Sequence, residues 1–352
     1  MKGPLEIVSP RNMRVGNEWI DVGVENNHLQ LRGLNAANRA SAPFFASRRL
    51  VVQALDSRGV RIRLSPRVER AYLGRLVFSV DDSRPGLSGL KCVNEIPTID
   101  YVASVVGSES PPDCHPEALK ALAVLVTGIV ERKKDGEIVG DSTKEQAYKG
   151  CEFASPAVVR AVKSVASKRL FYNNSPIQPY FHSTCAGGTS SGDVIFGEGA
   201  IPLKYLQPVK CVYCTQSPFW KTKTTTVPAK VLKNVFDGGM PTIMKYDSQK
   251  RPTEVTIESP TSGINKQLSG YQTMVKIGRA RGWGLIPSTR YRFQVFKVND
   301  QEFVKIQSSG AGHGVGLCQW GAAGLALRGK KCDQILRFYF PGCQVVPPNP
   351  SD

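Results

Sequence analysis

The chain has 352 residues and a formal net charge of +17, from 46 Lys and Arg against 29 Asp and Glu. Hydrophobic residues make up 41%, which excludes a disordered chain and allows one large or two ordinary domains. No apolar run approaches the ~20 residues of a membrane-spanning helix, and the charge favours an anionic partner such as nucleic acid, anionic lipid or cell-wall polymer over a neutral one.

The start, Met1 to Val8, lacks the apolar core of a signal peptide. The expectation is a cytoplasmic protein or one whose leader lies outside this chain. Residues 1–92 read as β. Alternating or β-branched runs occur at 19–24, 50–55, 61–64 and 74–80, with a turn at Asp56-Ser57-Arg58-Gly59. Next comes an apolar stretch, 90–112, ending in Pro111-Pro112. After Cys114 and His115 a helix is predicted. Pro116 suits its first turn, and Leu119, Leu122, Leu125, Val126 and Ile129 cover most of its circumference, so it is buried. A second helix is predicted from Ser155-Pro156 to about Ala166. A hairpin follows, turning at Asn173-Asn174. Residues 221–305 return to β character, and helices are predicted at 319–327 and 333–340. The Pro-rich tail from Val345 is expected to be disordered.

Three features carry chemistry. Glu109 precedes two prolines and the most apolar helix. A carboxyl group wedged against such a helix is desolvated, which raises its pKa and suits a general acid; the plain alternative is an exposed loop glutamate. His182 and Cys185 form one close pair of soft ligands, and Cys211 and Cys214 form another. Three thiolates and one imidazole leave no open position, so the spacing fits a structural zinc site, with a disulfide plus a stray thiol as the alternative. The other six of nine cysteines are Cys92, Cys114, Cys151, Cys318, Cys332 and Cys343, free or in up to three bridges. Finally, Gly310, Gly312, Gly314 and Gly316 alternate around His313 and run into Gln319-Trp320-Gly321. Glycine at every second position lets another segment approach the backbone closely. His313 either reads a ligand or is satisfied by local hydrogen bonds.

The last stretch resembles the C-terminal signature of the SpoIID/LytB-like proteins, which act on peptidoglycan, with Leu317 and Cys318 where that pattern has Met and Ser. Residues 101–121 resemble the same family's Tyr-Leu-x-x-Val-Val-x-x-Glu-Met-Pro and Glu-Ala-Leu-Lys-Ala blocks, with the family's catalytic Glu at Glu109. Ser110 replaces its Met and Thr127 its Arg, for which Lys120 and Lys144 are stand-ins. Residues 141–150 resemble Asp-x-Thr-x-x-Gln-x-Tyr-x-Gly and include Gln146 and Tyr148. The His-Ser-Thr-Cys and Cys-x-Tyr-Cys blocks also resemble the family's.

The resemblance implies an α+β fold: N-terminal and central β-rich segments around a catalytic core with a buried helix and antiparallel strands. The expected organisation is a β-rich region 1–92, a core 93–220 with the glutamate and zinc site, a β-rich segment 221–305, the signature 306–344 and a tail 345–352. The implied activity is a lytic transglycosylase cutting peptidoglycan strands stripped of stem peptides, with Glu109 as its single acid and base. Lys120, Gln146, Tyr148, His313, Gln319 and Trp320 would line the groove, and the location would be the cell envelope. One alternative is a non-catalytic glycan-binding protein that modifies an N-acetylmuramoyl-L-alanine amidase. A remoter one is a zinc-stabilised nucleic-acid-binding protein. Against it, basic residues such as Arg61, Arg67, Lys221 and Lys233 are dispersed, and no recognition-helix or aromatic-basic pattern is present.

Overall fold

The computed structural model describes residues 5–8, 12–15, 19–34, 45–54, 59–65, 67–84, 87–133, 137, 139–140, 147–197, 204–258 and 265–347. The fold is α+β, as the resemblance implies. Eight helices lie among the described residues: α1 (Thr98–Glu109), α2 (Pro116–Glu131), α3 (Pro156–Ser164), α4 (Gly192–Phe196), α5 (Lys230–Lys233), α6 (Gly270–Arg281), α7 (Gln319–Ala326) and α8 (Cys332–Tyr339). None is long and apolar enough to cross a membrane. The chain forms two compact units, residues 1–109 with 133–163, and residues 110–132 with 164–352.

The first unit is built on a five-stranded antiparallel sheet in the order Leu87–Glu95, Arg75–Arg84, Arg49–Ala54, Leu5–Val8, Asn12–Val15. Leu50, Val52 and Leu76 fill its core, with Leu29 and Leu31 from a second, three-stranded sheet and Val60 from a hairpin. The turn expected at 56–59 falls mostly outside the described residues. α1 is the element that sequence reading left unassigned. Pro97 opens it: its carbonyl accepts the amides of Asp100 and Tyr101. Pro111-Pro112 cannot continue it, so the helix stops at Glu109. Val102, Ala103, Val105 and Val106 are its buried side.

In the second unit α2 is buried as its composition demands, without a break from Leu119 and its neighbour Ala118 except at Lys120, through to Thr127. Pro116 opens the helix and His115 caps it, with Nδ1 accepting the Glu117 amide at 3.2 Å. α2 packs on α7, α8 and the strand Arg169–Tyr172. That strand turns through Asn173 and Asn174, both at positive φ, into Ser175–Pro176, giving the expected hairpin. Its other edge pairs with Gln344–Val346. Val345 and Val346 therefore belong to a sheet, correcting the expected start of the disordered tail; residues beyond 347 lie outside the described part.

Residues 223–308 form two three-stranded antiparallel sheets with α5 and α6 around Leu232, Phe236, Val255, Ile257, Ile277, Val304 and Ile306. The β reading of this segment overlooked α6. Its signal was local: Ser269 accepts the Gln272 amide while Gln272 returns a bond to the Ser269 amide, a capping box, and Gly282 ends the helix.

A half-buried glutamate and a buried four-thiol centre

Glu109 is the last residue of α1 and is half-buried. Its Oε1 accepts the Ala147 amide at 2.8 Å. The segment that supplies this amide is itself anchored in the first unit. Tyr148 donates its hydroxyl to Asn94 Oδ1, and its ring packs on Tyr101 and Tyr72 at centroid distances of 5.0 and 5.9 Å. The Cys151 amide bonds the Ala71 carbonyl at 2.8 Å. Tyr148, expected in a groove, thus has an interior role: burial pushes its phenol above the ordinary range and its hydroxyl is spent on Asn94. Ser108, beside the glutamate, has an enclosed hydroxyl with no partner among the described residues. Gln146 and Lys144 lie outside the described residues.

Lys120 and Thr127 sit in the second unit. Lys120 Nζ is 2.8 Å from Glu117 Oε1, and Glu117 Oε2 accepts the Cys332 amide at 2.8 Å, so this pair ties α2 to the start of α8. Lys120 is therefore engaged within its own helix rather than presented to a ligand. Thr127 is buried and donates to the Ala123 carbonyl at 2.8 Å, a bond that needs no cation.

The alternating glycines do what their spacing suggests. Gly310 to Gly316 carry positive φ at every second residue. A Cβ at Gly316 would sit 2.2 Å from the Tyr180 carbonyl oxygen, and one at Gly314 2.4 Å from Arg251 Cζ. The segment that approaches belongs to the same chain. Phe181–His182 pairs in parallel with Leu317–Cys318, and Thr184 bridges Ala311. His313 lies half-buried in this crossing. Its Nε2 faces the Phe181 carbonyl at 2.8 Å and its Nδ1 the Val315 amide at 3.2 Å. The amide can only donate, so Nδ1 is the acceptor and Nε2 carries the proton. Both nitrogens are consumed by backbone, which is the local-hydrogen-bond reading of this residue and leaves the ring no site for a ligand. Burial pushes its pKa down to about 4. Gln319 is buried at the start of α7; Trp320 is half-buried, with its amide on the Ser183 carbonyl at 3.2 Å.

The parallel pairing also decides which candidate ligands gather. Cys185, Cys211, Cys214 and Cys318 are buried with their sulfur atoms all within 4.8 Å of one another. His182 is not among them, correcting the expected set. His182 ends a short strand, Phe181–His182, and a bend at Ser183 separates it from Cys185, so the pair does not close as one chelating turn. His182 instead turns Nδ1 to the Val315 carbonyl at 3.1 Å. Cys318 replaces it, brought in because its strand lies beside that of His182. The signal was in the sequence, a cysteine where the resembled signature has Ser, but nothing in linear spacing links position 318 to 185. None of the nine cysteines is in a disulfide.

The donor set fits a metal ion. Cys185 and Cys214 sulfurs are 3.5 Å apart, too far for a disulfide and near the edge of about 3.8 Å that a tetrahedral zinc–thiolate centre requires. The surroundings suit thiolates. Cys318 Sγ accepts the amides of Cys185 and Gly321, each at 3.3 Å, and the Tyr339 hydroxyl lies 3.2 Å from Cys211 Sγ. Shared hydrogen bonds push the Cys214 thiol down and the Cys185 thiol up, and burial pushes the Cys318 thiol up, so the four do not ionise alike without a cation among them. Arg251 is fully buried behind the centre. Its guanidinium donates to the carbonyls of Cys185 and Gly188 at 2.9 and 3.0 Å and to Thr289 Oγ1 at 2.9 Å. A buried cation needs compensating negative charge, and a four-thiolate centre around a divalent ion carries a net charge of about −2.

The SpoIID family model, described as "Stage II sporulation protein", matches residues 87–172. Stage II sporulation protein D of Bacillus subtilis (strain 168) is 30% identical over 279 residues, 72% of this chain and 75% of the relative. An uncharacterized protein of Brachyspira hyodysenteriae is 31% identical over 291 residues, 78% of this chain and 72% of the relative. The amidase enhancer of Bacillus subtilis is 26% identical over 279 residues but only 39% of its length is covered. The chain belongs to the SpoIID family.

Proposed function

We propose that the protein is a peptidoglycan lytic transglycosylase of the cell envelope that cuts glycan strands lacking stem peptides, with Glu109 as the single acid and base. The observation that carries this reading is the Glu109 carboxyl, fixed at a helix end by the Ala147 amide at 2.8 Å. Glu109 gives its proton to the glycosidic oxygen as the bond to the anomeric carbon breaks. The C6 hydroxyl of the same sugar attacks that carbon, and the Glu109 carboxylate takes the hydroxyl proton. A 1,6-anhydro end forms, the acid is restored and no water is consumed. One carboxyl group suffices, unlike the paired carboxylates of hydrolytic glycosidases. Free lactyl carboxylates on bare strands match the net charge of +17. Glu109→Gln tests the reading: strand binding is retained while turnover falls about 10²–10⁴-fold. Undiminished turnover would sink it.

The zinc reading belongs here as well. Cys185, Cys211, Cys214 and Cys318 would hold one Zn²⁺ with no open position, so the ion would stabilise the fold and take no part in bond cleavage.

A second reading has its own support. Similarity to the amidase enhancer, and a buried, internally bonded Thr127 where the resembled pattern has Arg, both fit a strand-binding protein that acts on an amidase without cutting. Glu109→Gln would then change neither strand binding nor amidase stimulation.

A further inference from the structure

The second unit holds a cleft that none of the residues discussed so far explains. Its volume is 550 Å³, within the range of about 300–1,000 Å³ typical of small-ligand sites. Lys221, Lys250 and Arg290 line it, together with Trp220, Gln249 and Ser309. Three cations therefore share one cleft, and no carboxylate lines it among the described residues. Neither lysine makes an ion pair among the described residues. Lys233 and Lys245 of the same unit, by contrast, have carboxylate partners, Glu302 at 2.6 Å and Glu254 at 2.6 Å. Like charges gathered without a counter-charge repel one another, and an anion relieves that cost.

The walls are built rather than incidental. Arg290 donates to the Ala186 carbonyl, which fixes the guanidinium against the loop that follows Cys185. Ala186 itself sits at a φ of +56°, a conformation that alanine adopts only when its surroundings impose it. The same loop is held from behind by Arg251, through the carbonyls of Cys185 and Gly188. The thiol centre and its buried arginine thus hold one wall of the cleft in place. Trp220 adds an aromatic surface of the kind that packs on the C–H face of a sugar, and Gln249 and Ser309 add groups that pair with hydroxyls.

We infer that this cleft binds an anionic sugar, a hexose unit carrying a carboxylate, whose charge is met by Lys221, Lys250 and Arg290 and whose ring lies against Trp220. Resting on the glycan-strand reading above, it makes the cleft an accessory strand-binding subsite selective for sugars with a free lactyl carboxylate. Its function is grip on the strand, and it takes no part in bond cleavage.

Calorimetric titration of the full-length Glu109→Gln protein provides the test, using two strands of equal length: one with free lactyl carboxylates, one with the same groups amidated. The expected result is binding of the free-acid strand, weakened about tenfold by combined Lys221→Gln and Lys250→Gln, as two charge contacts are lost. Affinity for the amidated strand should not change with these substitutions. Trp220→Ala should weaken both strands alike. If the protein binds the free-acid strand but the double lysine variant binds it equally well, the cleft assignment is overturned and the glycan reading stands. If it binds neither strand, the glycan reading falls and this inference with it. A glycerol-phosphate oligomer that displaces the strand and outbinds it would overturn the carboxylate assignment in favour of a phosphate polymer.

Discussion

The surroundings of Glu109 and those of the four thiols differ in nearly every physical respect. The thiols are sealed: all four are buried, two backbone amides and a tyrosine hydroxyl point at their sulfurs, and a fully buried arginine stands behind them. The glutamate is half-buried at a helix end, and a backbone amide from a loop steadies it. A closed polar network serves stability, because each of its groups must be satisfied in a low-dielectric interior. A carboxyl group that serves a polymer must stay reachable. The contrast fits the proposed division, a structural part for the thiols and a catalytic one for the glutamate.

Removing the metal should produce the largest loss of stability. Where a site forms only on folding, metal-binding free energy is folding free energy, on the order of 10 kcal/mol for structural zinc. Chelation, or Cys214→Ser, should collapse the melting transition of the second unit, and metal analysis of the purified protein should give one ion per chain. A chelator-treated protein with unchanged melting would break the contrast. Cys318→Ser, which restores the resembled signature, should weaken metal retention, whereas His182→Asn should not change metal content.

Arg251→Met comes next. It leaves the Cys185 and Gly188 carbonyls and Thr289 without their donor in a buried site, at a cost of about 3–5 kcal/mol read by denaturant unfolding. Gly316→Ala should follow at about 2–3 kcal/mol, since φ is +69° and the new methyl would meet the Tyr180 carbonyl at 2.2 Å.

The smallest effect is on acid stability. The unfolded chain protonates His313 from about pH 6.5, while burial holds the folded residue down to about 4. The unfolded state therefore binds more protons between these values, and stability falls as pH drops through that window. After allowing for solvent around a half-buried ring, the contribution is roughly 1–2 kcal/mol. His313→Gln, neutral throughout, should lose less melting temperature than the parent between pH 6.5 and 4.

Local signals carried much of this into the sequence. The all-round apolar surface of α2, the Asn-Asn hairpin and the glycine alternation each reflect a constraint that acts within a few residues, and each is found in the structure. Residues whose roles depend on distant pairing were harder to read. Cys318 joins the centre because two short strands, 181–182 and 317–318, run side by side, and linear spacing carries no trace of that. His182 stands outside the set because it lies in the strand that pairs with Leu317–Cys318 and turns its Nδ1 to the Val315 carbonyl. His313 and Tyr148 look like ligand readers by type, but the backbone and Asn94 already occupy their polar atoms. α1 and α6 were missed where apolar or β-branched composition outweighed their start signals, Pro97 and the Ser269–Gln272 box.

The most direct test of the central claim is mass spectrometry of the ends of peptide-free glycan strands after incubation with the protein and with its Glu109→Gln variant. The account expects 1,6-anhydro ends from the parent protein and intact strands from the variant. Reducing ends would contradict the single-carboxyl mechanism by showing that water is the nucleophile. Intact strands from both proteins would contradict the enzyme assignment itself.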